Sequence, residues 1–235
     1  MKLKDVEIHV TGASRGLGRA ISQRFIDDGA HVTATARAYS LGVYRMDVRD
    51  LVKPWAFAAY KTDVLVCNAG IYGPVGPFET NAIEQWRDTI ETNLMGVVNC
   101  CHEFLPQMKE RKSGKIIIIS GGGATKARPN FSAYATSKAA VLRFMECLSE
   151  ELKPWNIDVN CLAPGALNTS IHDAVISAGP EKAGVAAYRH AQLVKETPPD
   201  FKKACDLAVW LASQESNGIT GKLISIHHDY RSLTA

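Results

Sequence analysis

No stretch of these 235 residues is apolar for long enough to span a membrane, and the opening segment MKLKDVEIHVTG lacks the apolar core that a signal peptide needs. Both absences lead to the expectation of a cytoplasmic location with no membrane partner. Nor is there a strong excess of charge: 27 Lys and Arg face 24 Asp and Glu, for a formal +3. The densest basic stretch, KERKSGK at 109–115, has no interleaved aromatic residues, which argues against a nucleic-acid partner. The six cysteines lack the paired spacing of a zinc site or a disulfide framework and sit inside apolar segments. They read as small core hydrophobes in a reducing compartment. Low-complexity segments, internal repeats and shifts in composition are also missing, so a single domain over 1–235 is expected.

What is present is alternation. Seven short β-branched runs, at 6–11, 31–36, 43–47, 63–68, 115–120, 158–163 and 222–227, are strand candidates. Several are apolar nearly end to end, as strands covered on both faces are. Helical patterns separate most of them, at 16–28, about 50–60, 82–111, 132–152 and 201–213. This order predicts an α/β fold, a three-layer, doubly wound parallel sheet of about seven strands, Rossmann-like. The stretch 165–200 is the least patterned and follows the sixth strand. Ligands bind beyond the carboxyl ends of strands in such folds, so this stretch is expected to be an irregular substrate lid.

The first strand ends in TGASRGLG, with Gly12, Gly16 and Gly18 just before a helix. Glycine lets the backbone approach a pyrophosphate, and the helix start favours an anion. The spacing Gly-x3-Gly-x-Gly makes Gly12, Ser14, Arg15, Gly16, Leu17 and Gly18 candidates for a dinucleotide cofactor. At the end of the second strand an acid would select NAD by binding the ribose 2′-hydroxyl. Ala36 stands there, followed by Arg37. Arg37 and Arg15 suit a 2′-phosphate, which favours NADP over NAD.

Tyr134 and Lys138 fall at i and i+4 of one helix and so share a face. A phenol with a pKa of about 10 is a poor base at neutral pH, and a nearby ammonium is expected to lower it. With the glycine turn, this pair resembles the short-chain dehydrogenase/reductase family in its single-domain form, over essentially the whole chain. Asp47 and Val48 match its adenine contact, and Asn68, Ala69 and Gly70 the motif closing the fourth strand. Asn93, in NLMG, matches its catalytic asparagine, and Pro164, Gly165 and Thr169 match its nicotinamide-side segment. The resemblance implies that Tyr134 exchanges a proton with a secondary alcohol or ketone, a small-molecule substrate. Lys138 would bind the nicotinamide ribose, and Asn93 would hold a water. It also implies a homo-oligomer, a tetramer or dimer.

Three departures stand out. The family's substrate-orienting serine, thirteen residues before the tyrosine, is Gly121 here, leaving Ser120, Thr125 or Ser132 to replace it. Spacings around Asp47 are short. The C-terminal His227, His228 and Asp229 suggest a metal, but adjacent strand residues face opposite ways, so no metal site is expected. An NAD(P)-dependent oxidoreductase is the leading reading. A catalytically idle dinucleotide-binding module is the alternative, with Gly121 as its best argument. Asn168, His172, Tyr188, His190 and Gln192 are the polar groups that the 165–200 stretch offers a substrate.

Overall fold

The isoleucine run at 116–119 shows how the chain fills space on both sides of a sheet. Side chains alternate across a strand, and here Ile117 and Ile119 join one buried cluster while Ile116 and Ile118 join another. A computed structural model of the chain describes residues 2–38, 40–50 and 60–234. Its seven strands are β1 (Glu7–Thr11), β2 (His31–Ala36), β3 (Tyr44–Arg45), β4 (Val64–Cys67), β5 (Gly114–Ile119), β6 (Ile157–Ala163) and β7 (Leu223–Ser225). All neighbouring pairs are parallel, in the order β3-β2-β1-β4-β5-β6-β7. The order reverses between β1 and β4, which is where such sheets bind ligands.

Helices cover both faces. On one lie α1 (Gly16–Asp27) and α7 (Lys202–Ala212), whose Ile21, Phe25, Leu207 and Trp210 pack on Val10 and Val66. The other face carries α3 (Gly96–Arg111) and α4 (Ser132–Leu152), whose Phe104, Met108, Val141 and Met145 meet Leu65 and Val159. Five cysteines are buried in these layers, whereas Cys147 is exposed on α4, contrary to the expectation for all six. The expected helix at 82–111 is two helices. α2 (Ile83–Ile90) joins α3 through a π-helical turn, Glu91–Met95, that contains Asn93. Such turns favour functional sites.

The 165–200 stretch is ordered, not irregular. It forms a 3₁₀ turn, Ser170–His172, and two helices, α5 (Asp173–Ala183) and α6 (Val185–Glu196). Val175, Ala183 and Ala191 bury against Tyr72, Phe131 and Tyr134, so packing supplies the order. Gly179 at φ 74° and Gly184 at φ 83° break the helical pattern and hide it from a periodicity reading. The last strand is shorter than expected, because the amide of His228 turns back to the Ser225 carbonyl. His227 and His228 therefore lie in a turn and not on a strand. The helix expected at about 50–60 falls almost entirely outside the described residues.

His9 lies in β1, 1% exposed, with Nε2 3.1 Å from Thr35 Oγ1 and its ring 4.7 Å from that of Phe104. Burial lowers its pKa to about 4, so it is neutral in the fold, while the unfolded chain protonates near 6.5. Protons then bind the unfolded state preferentially between these values, and stability falls as pH drops through that window. Wild-type protein should lose about 2 kcal/mol between pH 7 and pH 5 from this group. In denaturant titrations at both pH values, His9→Leu should remove most of that slope.

Candidate active site

At the carboxyl ends of the strands lies a cleft of about 1230 Å³. Its construction starts at the junction of β1 and β4. The Asn68 amide donates to the Thr11 carbonyl at 2.9 Å and to the Gly12 carbonyl at 3.1 Å, while Thr11 Oγ1 accepts from the amides of Asn68 and Ala69. A side chain at Gly12 would run into the Ala69 backbone, and one at Gly18 into the Asn68 amide. Gly12 also has φ 66°, a region that favours glycine. These glycines are thus required by close packing and bring the α1 N-terminus to the cleft floor.

That N-terminus fits a dinucleotide. It has no side-chain cap, no acid in its first turn, and Ser14, Arg15, Gly16, Leu17 and Gly18 all line the cleft. Its amides are therefore open to a phosphate. No Asp or Glu lines the cleft among the described residues. Ala36, Arg37 and Ala38 line the far end, and Arg15 lines the cleft at the start of α1. Ala69, Gly70, Pro164, Gly165 and Thr169 line it too, and Thr169 packs over Gly16. Of the expected adenine-contact pair, Val48 lines the cleft with Met46, while the Asp47 carboxylate is held by Arg49 at 2.7 Å, which lowers its pKa.

At the other end Tyr134 is 6% exposed and stacks on Tyr72, with ring centroids 4.5 Å apart and planes 6° from parallel. Its hydroxyl lies against Gly121, in the space where a side chain at that position would start. The vacancy left by the missing serine is thus filled by the tyrosine itself. Lys138, 5% exposed, donates to the Ile119 carbonyl at 2.7 Å, with Nζ 5.9 Å from the Tyr134 ring centroid. Burial brings its pKa down to about 8. Without cofactor, burial dominates and raises the Tyr134 pKa, Tyr72 adds to the rise, and Arg128 opposes it.

Ser120 is 3% exposed, and its hydroxyl has no protein partner. The same is true of Thr92 Oγ1 and His172 Nδ1, and all three residues line the cleft. An unpaired buried polar group costs about 1–3 kcal/mol, and such groups persist mainly where a ligand or water satisfies them. Of the other hydroxyls considered, Thr125 lines the cleft, while Ser132 accepts from Trp86 Nε1 at 3.2 Å. Asn93 is fully buried behind the site. Its side chain bonds both backbone groups of Ile71 and the Ser137 hydroxyl, which uses both amide donors. It fixes the loop after β4 and does not itself line the cleft.

Sequence reasoning missed Tyr72 and Arg128. Tyr72 follows the Asn68-Ala69-Gly70 motif by two residues, and Arg128 is the cation of the β5–α4 loop that reaches Tyr134. Of the five polar residues expected from the 165–200 stretch, His172 and His190 line the cleft, and Thr169 and Ser170 join them. Asn168 instead ties its loop to the Lys195 and Thr197 carbonyls.

Residues 40–178 match the short chain dehydrogenase family model. The chain belongs to that family. This short-chain dehydrogenase is 32% identical to the 3-oxoacyl-acyl-carrier-protein reductase of Chlamydia trachomatis, over 92% of this chain and 94% of the relative. It is also 32% identical to a 3beta-hydroxysteroid dehydrogenase of Eggerthella lenta, over 95% and 93% of the two chains. A solved gluconate 5-dehydrogenase from Burkholderia cenocepacia, in complex with NADP and tartrate, is 25% identical with a TM-score of 0.82, covering 95% of this chain and 94% of that one. The reaction class follows from membership: an NAD(P)-dependent oxidoreductase acting on alcohol or ketone groups.

Lys138 gives a test of the site's electrostatics. Its folded pKa of about 8 lies below the ordinary lysine value of 10.5, so its charge is destabilising at pH 7 by about 3 kcal/mol. Allowing about 1 kcal/mol for the lost hydrogen bond, Lys138→Met should be more stable than wild type by roughly 1–2 kcal/mol at pH 7. The unfolded chain binds the extra proton between pH 8 and 10.5, so wild-type stability recovers there and the gap should close toward pH 10. Denaturant unfolding at the two pH values measures this.

Proposed function

We propose that this short-chain dehydrogenase reduces a carbonyl with NADPH, with Tyr134 as proton donor. The observation that carries the reading is the Tyr134 hydroxyl, which lies against Gly121 at the cleft with the Lys138 ammonium 5.9 Å from its ring; a phenol is protonated at neutral pH. A protonated phenol is the form that can donate to an oxygen gaining negative charge. Ser120, with its unpartnered buried hydroxyl, is the second donor to that oxygen and takes over from the serine absent at position 121. Lys138 positions the nicotinamide ribose, and the π turn at Asn93 holds the surrounding loop. When bound, the cofactor supplies hydride, and the chain supplies position, proton and a dry wall of Tyr72 and Phe131.

NADP is favoured over NAD by Arg37 and Arg15 on a cleft free of carboxylates, and the relative solved with NADP is consistent with this. The α5–α6 segment acts as the lid over the substrate end. The same reading takes the protein as cytoplasmic and as a homo-oligomer, a tetramer or dimer. Among the described residues no helix is long and apolar enough to cross a membrane. The exposed Phe78, just before α2, and Ile83, at its start, offer apolar surface to a second copy.

Tyr134→Phe should lower kcat by about 10²–10⁴, the usual range for a lost general acid, with the NADPH dissociation constant nearly unchanged. Ser120→Ala should lower it by about 10²–10³. Single-turnover kinetics over a panel of polyols, sugars, cyclic ketones and 3-oxoacyl thioesters checks both, and full activity in Tyr134→Phe would remove the assignment. Arg37→Ala should weaken NADPH by about tenfold or more and leave NADH unaffected. Tighter binding of NADH than NADPH to the wild type would contradict the cofactor choice.

A further inference from the structure

The cleft of this protein carries cations and no carboxylate among the described residues, and one of the cations lies on the substrate side of Tyr134. Arg15 and Arg37 lie toward the dinucleotide end, and Lys138 is bonded to Ile119. Arg128 belongs to neither place. It comes from the loop between β5 and α4, and β5 lies two strands from β1, roughly 10 Å from the phosphate turn at normal strand spacing. Its guanidinium carbon sits 4.3 Å from the Phe131 ring centroid and 5.2 Å from that of Tyr72. A side chain on Gly122 would meet its Nη1 at 3.1 Å.

Stacking on two rings fixes the plane of a guanidinium; Arg128 also hydrogen-bonds Tyr72, and of its five N–H donors the others can grip a planar or tetrahedral oxyanion. Arg128 has no ion pair among the described residues, although it is half-buried and surrounded by aromatic surface. Across the cleft His172 is 8% exposed with Nδ1 unpartnered, and His190 on α6 completes the wall. Arg128 lies over Tyr72, which stacks on Tyr134 with ring centroids 4.5 Å apart, so its charge stands one ring from the proton donor. The nearest acid on that wall, Asp173, is taken by Lys195 at 2.9 Å.

We propose that Arg128, with His172 and His190 opposite, is a subsite for an oxyanion on the substrate. The compound reduced or oxidised is then an anionic one, a hydroxy or keto compound bearing a carboxylate or a phosphate ester. This rests on the proposed function, because the oxyanion belongs to the molecule whose carbonyl faces Tyr134. A carbonyl beside Tyr134 and an anionic group at Arg128 are spanned by a short substrate, since Gly121 under the hydroxyl and Gly122 under the guanidinium are neighbours in the chain.

The test is calorimetric titration of the protein saturated with NADP, using probes that differ in charge. Gluconate and glucose 6-phosphate are compared with glucose, and 3-hydroxybutyrate with its methyl ester. At least one anion should bind more tightly than its neutral counterpart. Arg128→Met, which keeps the stem packed on Phe131, should weaken that anion by about 10- to 100-fold, as expected for a charged hydrogen bond. The neutral probes, NADP affinity and melting temperature should stay unchanged, and Arg128→Lys should fall between. Preference for the carboxylate or for the phosphate identifies which oxyanion the subsite takes. Absence of any anion binding sensitive to Arg128, or equal loss for charged and neutral probes, overturns the proposal. Turnover is read separately: anion binding lost in Arg128→Met without hydride transfer from any probe to NADP would retire the oxidoreductase reading and leave the subsite standing.

Discussion

Two hydrogen bonds from one amide hold the cleft together. Asn68, at the end of β4, donates to the carbonyls of Thr11 and Gly12 at the end of β1, across the point where the strand order reverses. The two halves of the sheet are thereby closed against each other, and the turn into α1 has no room for side chains at Gly12 or Gly18. The uncapped α1 N-terminus is left facing the space between the halves. Position in this fold is therefore set by close backbone packing, and the cofactor site follows from it.

Burial, more than ion pairing, shapes the chemistry on the other side. Tyr134 is enclosed by Tyr72, Phe131 and the backbone of Gly121, so water is excluded and the phenol stays protonated. Lys138 is enclosed as well and loses affinity for its proton for the same reason. The glycine at 121 is then no simple loss. It gives the tyrosine hydroxyl somewhere to lie, and the polar groups that remain unpartnered around it, on Ser120, Thr92 and His172, are those a substrate can reach.

Much of this was legible in the sequence, because it is written in local patterns. β-branched runs marked the strands, the glycine spacing marked the phosphate turn, and Tyr134 with Lys138 marked the proton-transfer helix. What was hidden is long-range. α5 and α6 are interrupted by Gly179 and Gly184, and their order comes from contact with Tyr72 and Phe131, which no window of sequence contains. Arg128 reads as an ordinary loop charge until the fold stacks it on those rings. Asp47 carries a pairing that the motif does not show, with Arg49 two residues away holding its carboxylate. The influence of Lys138 on Tyr134 is read from their spacing and from the family resemblance, and neither says how strongly burial acts.

The claim on which the rest depends is that burial sets the state of Tyr134 and that Arg128, not Lys138, is the charge that moderates it. Tyrosine selectively labelled with ¹³C at Cζ, titrated by NMR in the protein without cofactor, reports that state directly. The account predicts a Tyr134 pKa above the ordinary value of about 10, rising further in Arg128→Met and little changed in Lys138→Met. A Tyr134 that titrates below 10 in the wild type, or one whose pKa responds to Lys138 and not to Arg128, would contradict it.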